Sequence, residues 1–97
     1  MIQSFRDRGT EDVFDGVDSR AARKACPTAI WNVARRKLAQ LDAAVSLRSL
    51  SIPIGNSLEA LKHDRVGQHA IRINDRYRVC FRWTDAGPED VEIADYH

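Results

Sequence analysis

Two cysteines, three prolines and five glycines are all that this 97-residue chain holds of the residues that most constrain a backbone, and aromatics make up 7% of it. Cys26 and Cys80 are too few for a disulfide framework and too far apart for a paired zinc-ligand spacing, so both are expected to be buried small hydrophobes. No apolar run exceeds three residues, against the ~18 that a membrane-spanning helix needs. Arg6, Asp7, Arg8, Glu11, Asp12 and Asp15 leave no room for an apolar leader, and a cytoplasmic location is expected. There are no repeats, no low-complexity tracts and no linker-like stretches, so residues 1–97 are expected to form a single domain around one modest core. With 43% hydrophobic and 30% charged residues, disordered and fibrous classes are excluded.

Net charge is almost absent too, at +1, but it is strongly segregated. Residues 1–19 set two arginines against five carboxylates. Residues 20–48 set seven basic side chains against Asp42 alone, and residues 62–82 set six against two. Residues 83–97 carry five carboxylates and no lysine or arginine. A basic centre between acidic ends suits a polyanion-binding face, and equally a solvated helix face with scattered strand charges.

Apolar spacing orders the elements. Ile2–Phe5 is a short strand candidate. Thr10, followed by Glu11 and Asp12, reads as the N-cap of a helical turn that Gly16 ends. Trp31, Ala34, Leu38, Leu41 and Val45 form one helical stripe, with Pro27 in its first turn. Arg36, Lys37 and Gln40 fall off that stripe, in water or on a partner; the Arg35-Arg36-Lys37 run is a solvated face or part of a polyanion-binding one. Pro53, Gly55 and Asn56 make 46–57 a loop. From Leu58 the period becomes two: Ile71 and Ile73, then Val79, Phe81 and Trp83, then Val91 and Ile93 alternate with mostly polar neighbours, as half-buried antiparallel strands do.

A three-residue loop at Asn74–Arg76 pairs Ile71 with Val79 and Arg72 with Arg78, placing apolar residues opposite apolar ones. A longer loop around Gly87 and Pro88 pairs Trp83 with Val91, Phe81 with Ile93, Val79 with Asp95 and Arg78 with Tyr96. One face then covers the helix stripe. The other gathers Arg72, Arg78, Arg82 and Tyr96, and like charges set opposite each other in a sheet suggest an anion between them.

The ordered set Leu58-Glu59-Ala60-Leu61-Lys62, Gly67 to Asn74, Tyr77 to Phe81 and the terminal Asp95-Tyr96-His97 resembles the HigB toxins of type II toxin–antitoxin modules, also called plasmid maintenance killer proteins, in the RelE-like superfamily. The resemblance spans essentially the whole chain. It implies an α+β fold, with an N-terminal strand and two helices packed on one face of a mainly antiparallel sheet. It also implies a ribosome-dependent endoribonuclease that cuts mRNA in the A site of the 70S ribosome, without metal or other cofactor. The implied partner is a HigA-like helix-turn-helix antitoxin, through which alone operator DNA would be contacted; no membrane is involved.

By position, the resemblance implies that Arg78 contacts the scissile phosphate and that Asp95, Tyr96 and His97 form the C-terminal catalytic cluster. Lys62 matches a functional lysine, and Arg72 and Arg82 join it as RNA contacts. Glu59 departs from relatives that carry a catalytic histidine there. The chemistry suits these residue types. Cleavage by the 2′-hydroxyl needs a base, an acid for the leaving 5′-oxygen, and cations for the phosphorane. An imidazole exchanges protons at neutral pH, and a guanidinium forks onto phosphate oxygens. His69 shares the parity of Ile71 and reads as partly buried and structural, His63 as solvent-facing, and no metal-ligand spacing is present. A second class, a non-catalytic RelE-like module that only pairs with a protein or nucleic acid, fits the same fold.

Overall fold

The computed structural model describes residues 1–96. Three helices, α1 (Arg8–Asp15), α2 (Arg20–Ala25) and α3 (Trp31–Ala43), precede four strands, β1 (Glu59–Ala60), β2 (His69–Arg72), β3 (Tyr77–Thr84) and β4 (Gly87–Asp95). The strands form one antiparallel sheet in the order β1-β2-β3-β4. The expected N-terminal strand is an extended segment. It runs parallel to β4, bridges Phe5 to Val91, and donates from Gln3 N to the Pro88 carbonyl at 2.7 Å.

The cap of α1 is Asp7, not Thr10: a carboxylate three residues earlier accepts from Thr10 N at 2.7 Å. Thr10 is fully buried instead, and its hydroxyl accepts from Ile93 N at 2.9 Å, fastening α1 to β4. Gly16 ends the helix at φ 75, in the left-handed region where glycine carries no steric cost. The helical region then divides further than the apolar spacing indicated. Ser19 caps the short α2 by accepting from Ala22 N, and Pro27 begins a single 3-10 turn before α3.

Ala34, Leu38 and Leu41 of the stripe are fully buried against Ile71, Val79 and Phe81. Val45 is 91% exposed, because the helix stops at Ala43. Lys37 was expected off the stripe and is buried. Its ammonium donates to Asn56 Oδ1 at 2.5 Å, and Asn56 Nδ2 donates to the Leu50 carbonyl and to Gln40 Oε1. Burial pulls the Lys37 ammonium below its ordinary range, with Arg36 and Arg72 adding repulsion. The network ties the 46–57 loop to α3. No helix among the described residues is long and apolar enough to cross a membrane.

The first hairpin has the expected register, with Ile71 opposite Val79 and Arg72 opposite Arg78. The second does not. Val79 faces Ile93, Tyr77 faces Asp95 and Trp83 faces Pro88, with a shift between Cys80 and Arg82. Two features cause it. Thr84 and Gly87 close a tight turn, in which Thr84 Oγ1 donates to the Gly87 carbonyl at 2.7 Å, and Pro88 sits second in the strand instead of breaking it. Proline is tolerated there because β4 ends the antiparallel ladder. Asp90, at φ 51, then supplies the extra residue of a bulge opposite Phe81. At the Val79 end the shift is two residues, which leaves every side chain on its expected face.

Candidate active site

The helix-covered face of the sheet is apolar, and the opposite face carries the chemistry. Cross-strand register lays Glu59, Ala70, Cys80 and Glu92 in one row, and Arg72, Arg78 and Ala94 in the next. Ala70, Cys80 and Ala94 are small and buried, and with Leu61 and Tyr96 they make a thin second core. Small residues there give the face a low floor, above which longer side chains stand. Burial pushes the Cys80 thiol up to about 11, and the Cys26 thiol likewise, so both are packing groups as expected.

Tyr96 N donates to the Arg76 carbonyl at 2.6 Å, so the chain end lies beside Arg76 and not opposite Arg78. The shared face still brings the two side chains together. The Arg78 guanidinium sits 5.8 Å from the centre of the Tyr96 ring, a cation–π distance. Arg78 is anchored by donating to the Asn74 and Tyr77 carbonyls, and Arg72 is paired with Asp75. The two opposed arginines therefore both lean to the hairpin loop.

On one side of Tyr96 is a hollow of about 300 Å³ lined by Glu59, Ala60, Leu61, Lys62, His63 and Tyr96. On the other is an open depression of about 730 Å³, lined by Asp64, Arg65, Asp95 and Tyr96. Lys62 is exposed at the rim of the first. Through the Tyr96 ring, Arg78 adjoins this first hollow, a trough edged by Lys62. Arg82 lies at the far end of the same face, over Gly67 and 3.9 Å from Asp90. Asp95 forms a two-pronged pair with Arg76, both bonds at 2.8 Å. His97 lies outside the described residues. His69 is half-buried and stacks on Phe81, as its parity implied, while His63 is exposed.

Two residues not singled out from the sequence shape the charge of the face. Arg65 donates to Glu92 at 2.6 Å and to Gln68, and Arg76 holds Asp95. The signal for both was the acidic 83–97 segment, which antiparallel pairing folds back onto the basic strand. Lys62 and Arg78 keep no carboxylate partner among the described residues. Their positive charge is available to an outside anion.

A family model described as a RelE-like toxin of type II toxin-antitoxin system HigB matches residues 3–97. Toxin HigB-1 of Vibrio cholerae serotype O1 is 38% identical over 85 residues, covering 88% of this chain and 86% of that protein. The fold is similar to that of a chain in the YoeB-YefM complex from Staphylococcus aureus, with a TM-score of 0.59 at 16% identity over 100% of this chain and 95% of that one. At that identity the likeness is one of fold.

Proposed function

The chain belongs to the HigB-like, RelE-like toxins of type II toxin–antitoxin systems, and from that membership we propose that it is an mRNA interferase, a ribosome-dependent endoribonuclease that cuts messages in the A site of the 70S ribosome and so inhibits translation. The observation that carries this reading is the Arg78 guanidinium resting on Tyr96 beside a hollow edged by Lys62. That grouping suits a nucleotide: a ring to stack on a base, a fork for the scissile phosphate, and a further cation for its neighbour.

Arg78 neutralises the charge that develops on the non-bridging oxygens as the 2′-oxygen attacks phosphorus. Tyr96 orients the nucleotide. His97 supplies an imidazole for proton transfer at the scissile bond. Asp95, braced by Arg76, fixes the strand end from which Tyr96 and His97 extend. Lys62, Arg72 and Arg82 follow the message backbone. This reaction uses the substrate's own hydroxyl and proceeds without a metal. Residues 1–97 act as one toxin domain in the cytoplasm. Its partner is an antitoxin of the HigA-like helix-turn-helix kind, which alone contacts operator DNA.

The test is cleavage of a defined message on purified 70S ribosomes. Fragments ending in a 2′,3′-cyclic phosphate at the A-site codon are expected, with no cutting of free message. A 3′-hydroxyl end would point to water attack on the phosphate and overturn the 2′-hydroxyl mechanism. Binding to ribosomes without any cleavage would favour the non-catalytic module.

A further inference from the structure

We propose that the groove where α3 meets the 46–57 loop seats the antitoxin, through a segment that presents aliphatic side chains flanked by carboxylates; the assignment rests on the pairing with an antitoxin proposed above. The groove, about 390 Å³, runs between Ala43, Ala44 and Val45 at the end of the helix and Ile52 and Pro53 of the loop, and the buried Leu50 also lines it. Val45 is 91% exposed, Ile52 77% and Ile54 89%. A single aliphatic side chain in water is ordinary, but three within ten residues, beside an open groove, mark a surface made to be covered.

The loop is built to hold that surface. Ser46 Oγ accepts from Ser49 N at 3.2 Å, and the Ser51 hydroxyl donates to the Arg48 carbonyl at 2.7 Å. From behind, Asn56 joins the Leu50 carbonyl, Gln40 and the buried Lys37 ammonium. A buried ammonium and a buried amide are costly to arrange, and here they fix a loop whose aliphatic side chains stay outside. The core is elsewhere, where Ala34, Leu38 and Leu41 meet the sheet. A surface already fixed loses little conformational freedom when a partner covers it.

Charge specifies the kind of partner. Among the described residues, no carboxylate lines the groove. Arg36 stands one turn before Gln40 on the same face of α3, and Arg48 precedes Ser49; Gln40 and Ser49 both line the groove. Both arginines are exposed and have no ion pair among the described residues. Asp42 is the one carboxylate of residues 31–57, and it accepts from Ile2 N at 2.8 Å. A nucleic acid would match the two cations and leave the aliphatic side chains in water. A purely apolar peptide would do the reverse. A segment that is aliphatic along one side and acidic at its margins satisfies both. The groove shares no residue with the trough of Tyr96 and Lys62.

The experiment is a calorimetric titration of the purified protein with the antitoxin encoded beside its gene, with ribosome binding and message cleavage measured on the same samples. Val45→Asp and Ile52→Asp are each expected to weaken the complex about 10–100-fold, the loss that follows when an aliphatic side chain is no longer buried by a partner. Both positions are exposed, so the melting temperatures should stay close to that of the unaltered protein. The double change Arg36→Glu and Arg48→Glu, also at exposed positions, should weaken the complex and flatten its dependence on salt. Val66→Asp, at a hydrophobe 69% exposed outside the groove, should bind like the unaltered protein. Affinities of Val45→Asp and Ile52→Asp within about twofold of the unaltered protein overturn the assignment. Full antitoxin affinity with lost ribosome binding also overturns it, and gives the surface to ribosomal RNA. Absence of any complex with the unaltered protein overturns instead the pairing on which the assignment rests.

Discussion

Arg78 holds its place through two backbone carbonyls and the Tyr96 ring, and its charge meets no carboxylate among the described residues. Replacing it with alanine should therefore remove a transition-state contact and little else. The expected loss in message cleavage is about 10²–10³-fold. The unfolding free energy should change by less than about 1 kcal/mol, since the side chain is half-exposed. Cleavage within twofold of the unaltered protein would remove Arg78 from the mechanism. Asn56 makes the opposite case. It is fully buried, away from the trough, and its Oδ1 accepts from the buried Lys37 ammonium. Asn56→Ala leaves that ammonium without the acceptor and should cost about 2–3 kcal/mol in chemical denaturation. Ribosome-dependent activity of the folded fraction should persist.

At the scale of elements, the contact of α1 with α2 rests on a missing side chain. A Cβ on Gly9 would stand 2.3 Å from the Ala21 carbonyl oxygen, a backbone atom that cannot step aside. Gly9→Ala gains about 1 kcal/mol of helix propensity, but forcing the helices apart costs about 1–3 kcal/mol. Net destabilisation in a denaturant titration is the expected result, and a more stable variant would show that the two helices separate freely. The same pair is linked by Asp12, which accepts from Ser19 at 2.6 Å and from Arg8 at 3.1 Å. The Ser19 hydroxyl foremost, and Arg8 with it, hold the Asp12 carboxyl below the ordinary carboxylate value of 3.8. A depressed carboxyl stabilises the fold fully above the unfolded value and loses that contribution as pH falls through the folded one. The unaltered protein should therefore lose melting temperature below about pH 3.8 more steeply than Asp12→Asn. Parallel melting curves for the two would contradict the link.

For the whole molecule, charge segregation turns out to be partly self-cancelling. Asp90, Glu92 and Asp95 of β4 meet Arg82, Arg65 and Arg76, so the acidic end neutralises half of the basic side chains of residues 62–82. On the sheet face what stays open is local, at Lys62 and Arg78, while Arg20, Lys24, Arg35, Arg36 and Arg48 of the helical segment stand exposed without an ion pair among the described residues. Induction without the antitoxin should stop nascent protein synthesis and growth within minutes, and Arg78→Ala should not. Continued synthesis in the presence of soluble, folded protein would refute the toxic activity.

Wherever a local pattern fixed a choice, the sequence by itself was enough. Alternating residues from Ile71 to Phe81 set the first hairpin's register, because a one-residue slip would turn its apolar face to water. Ala34, Leu38 and Leu41 set the buried side of α3 for the same reason. Arg78 and Tyr96 could be assigned to one face by parity alone, and parity survives a two-residue error. The second hairpin was beyond local reading. A strand that takes in Pro88 and a bulge at Asp90 depend on where β4 sits in the sheet, and Asp95 found Arg76 only once that register was set. Asp7 displaced Thr10 as the cap because Thr10 was drawn to the β4 backbone, a contact eighty-three residues away in sequence. Lys37 was buried because a distant asparagine came to meet it. Periodicity is a property of neighbours along the chain. Which polar groups end up satisfied, and which stay free in the trough, is decided by contacts that exist only once the chain has closed on itself.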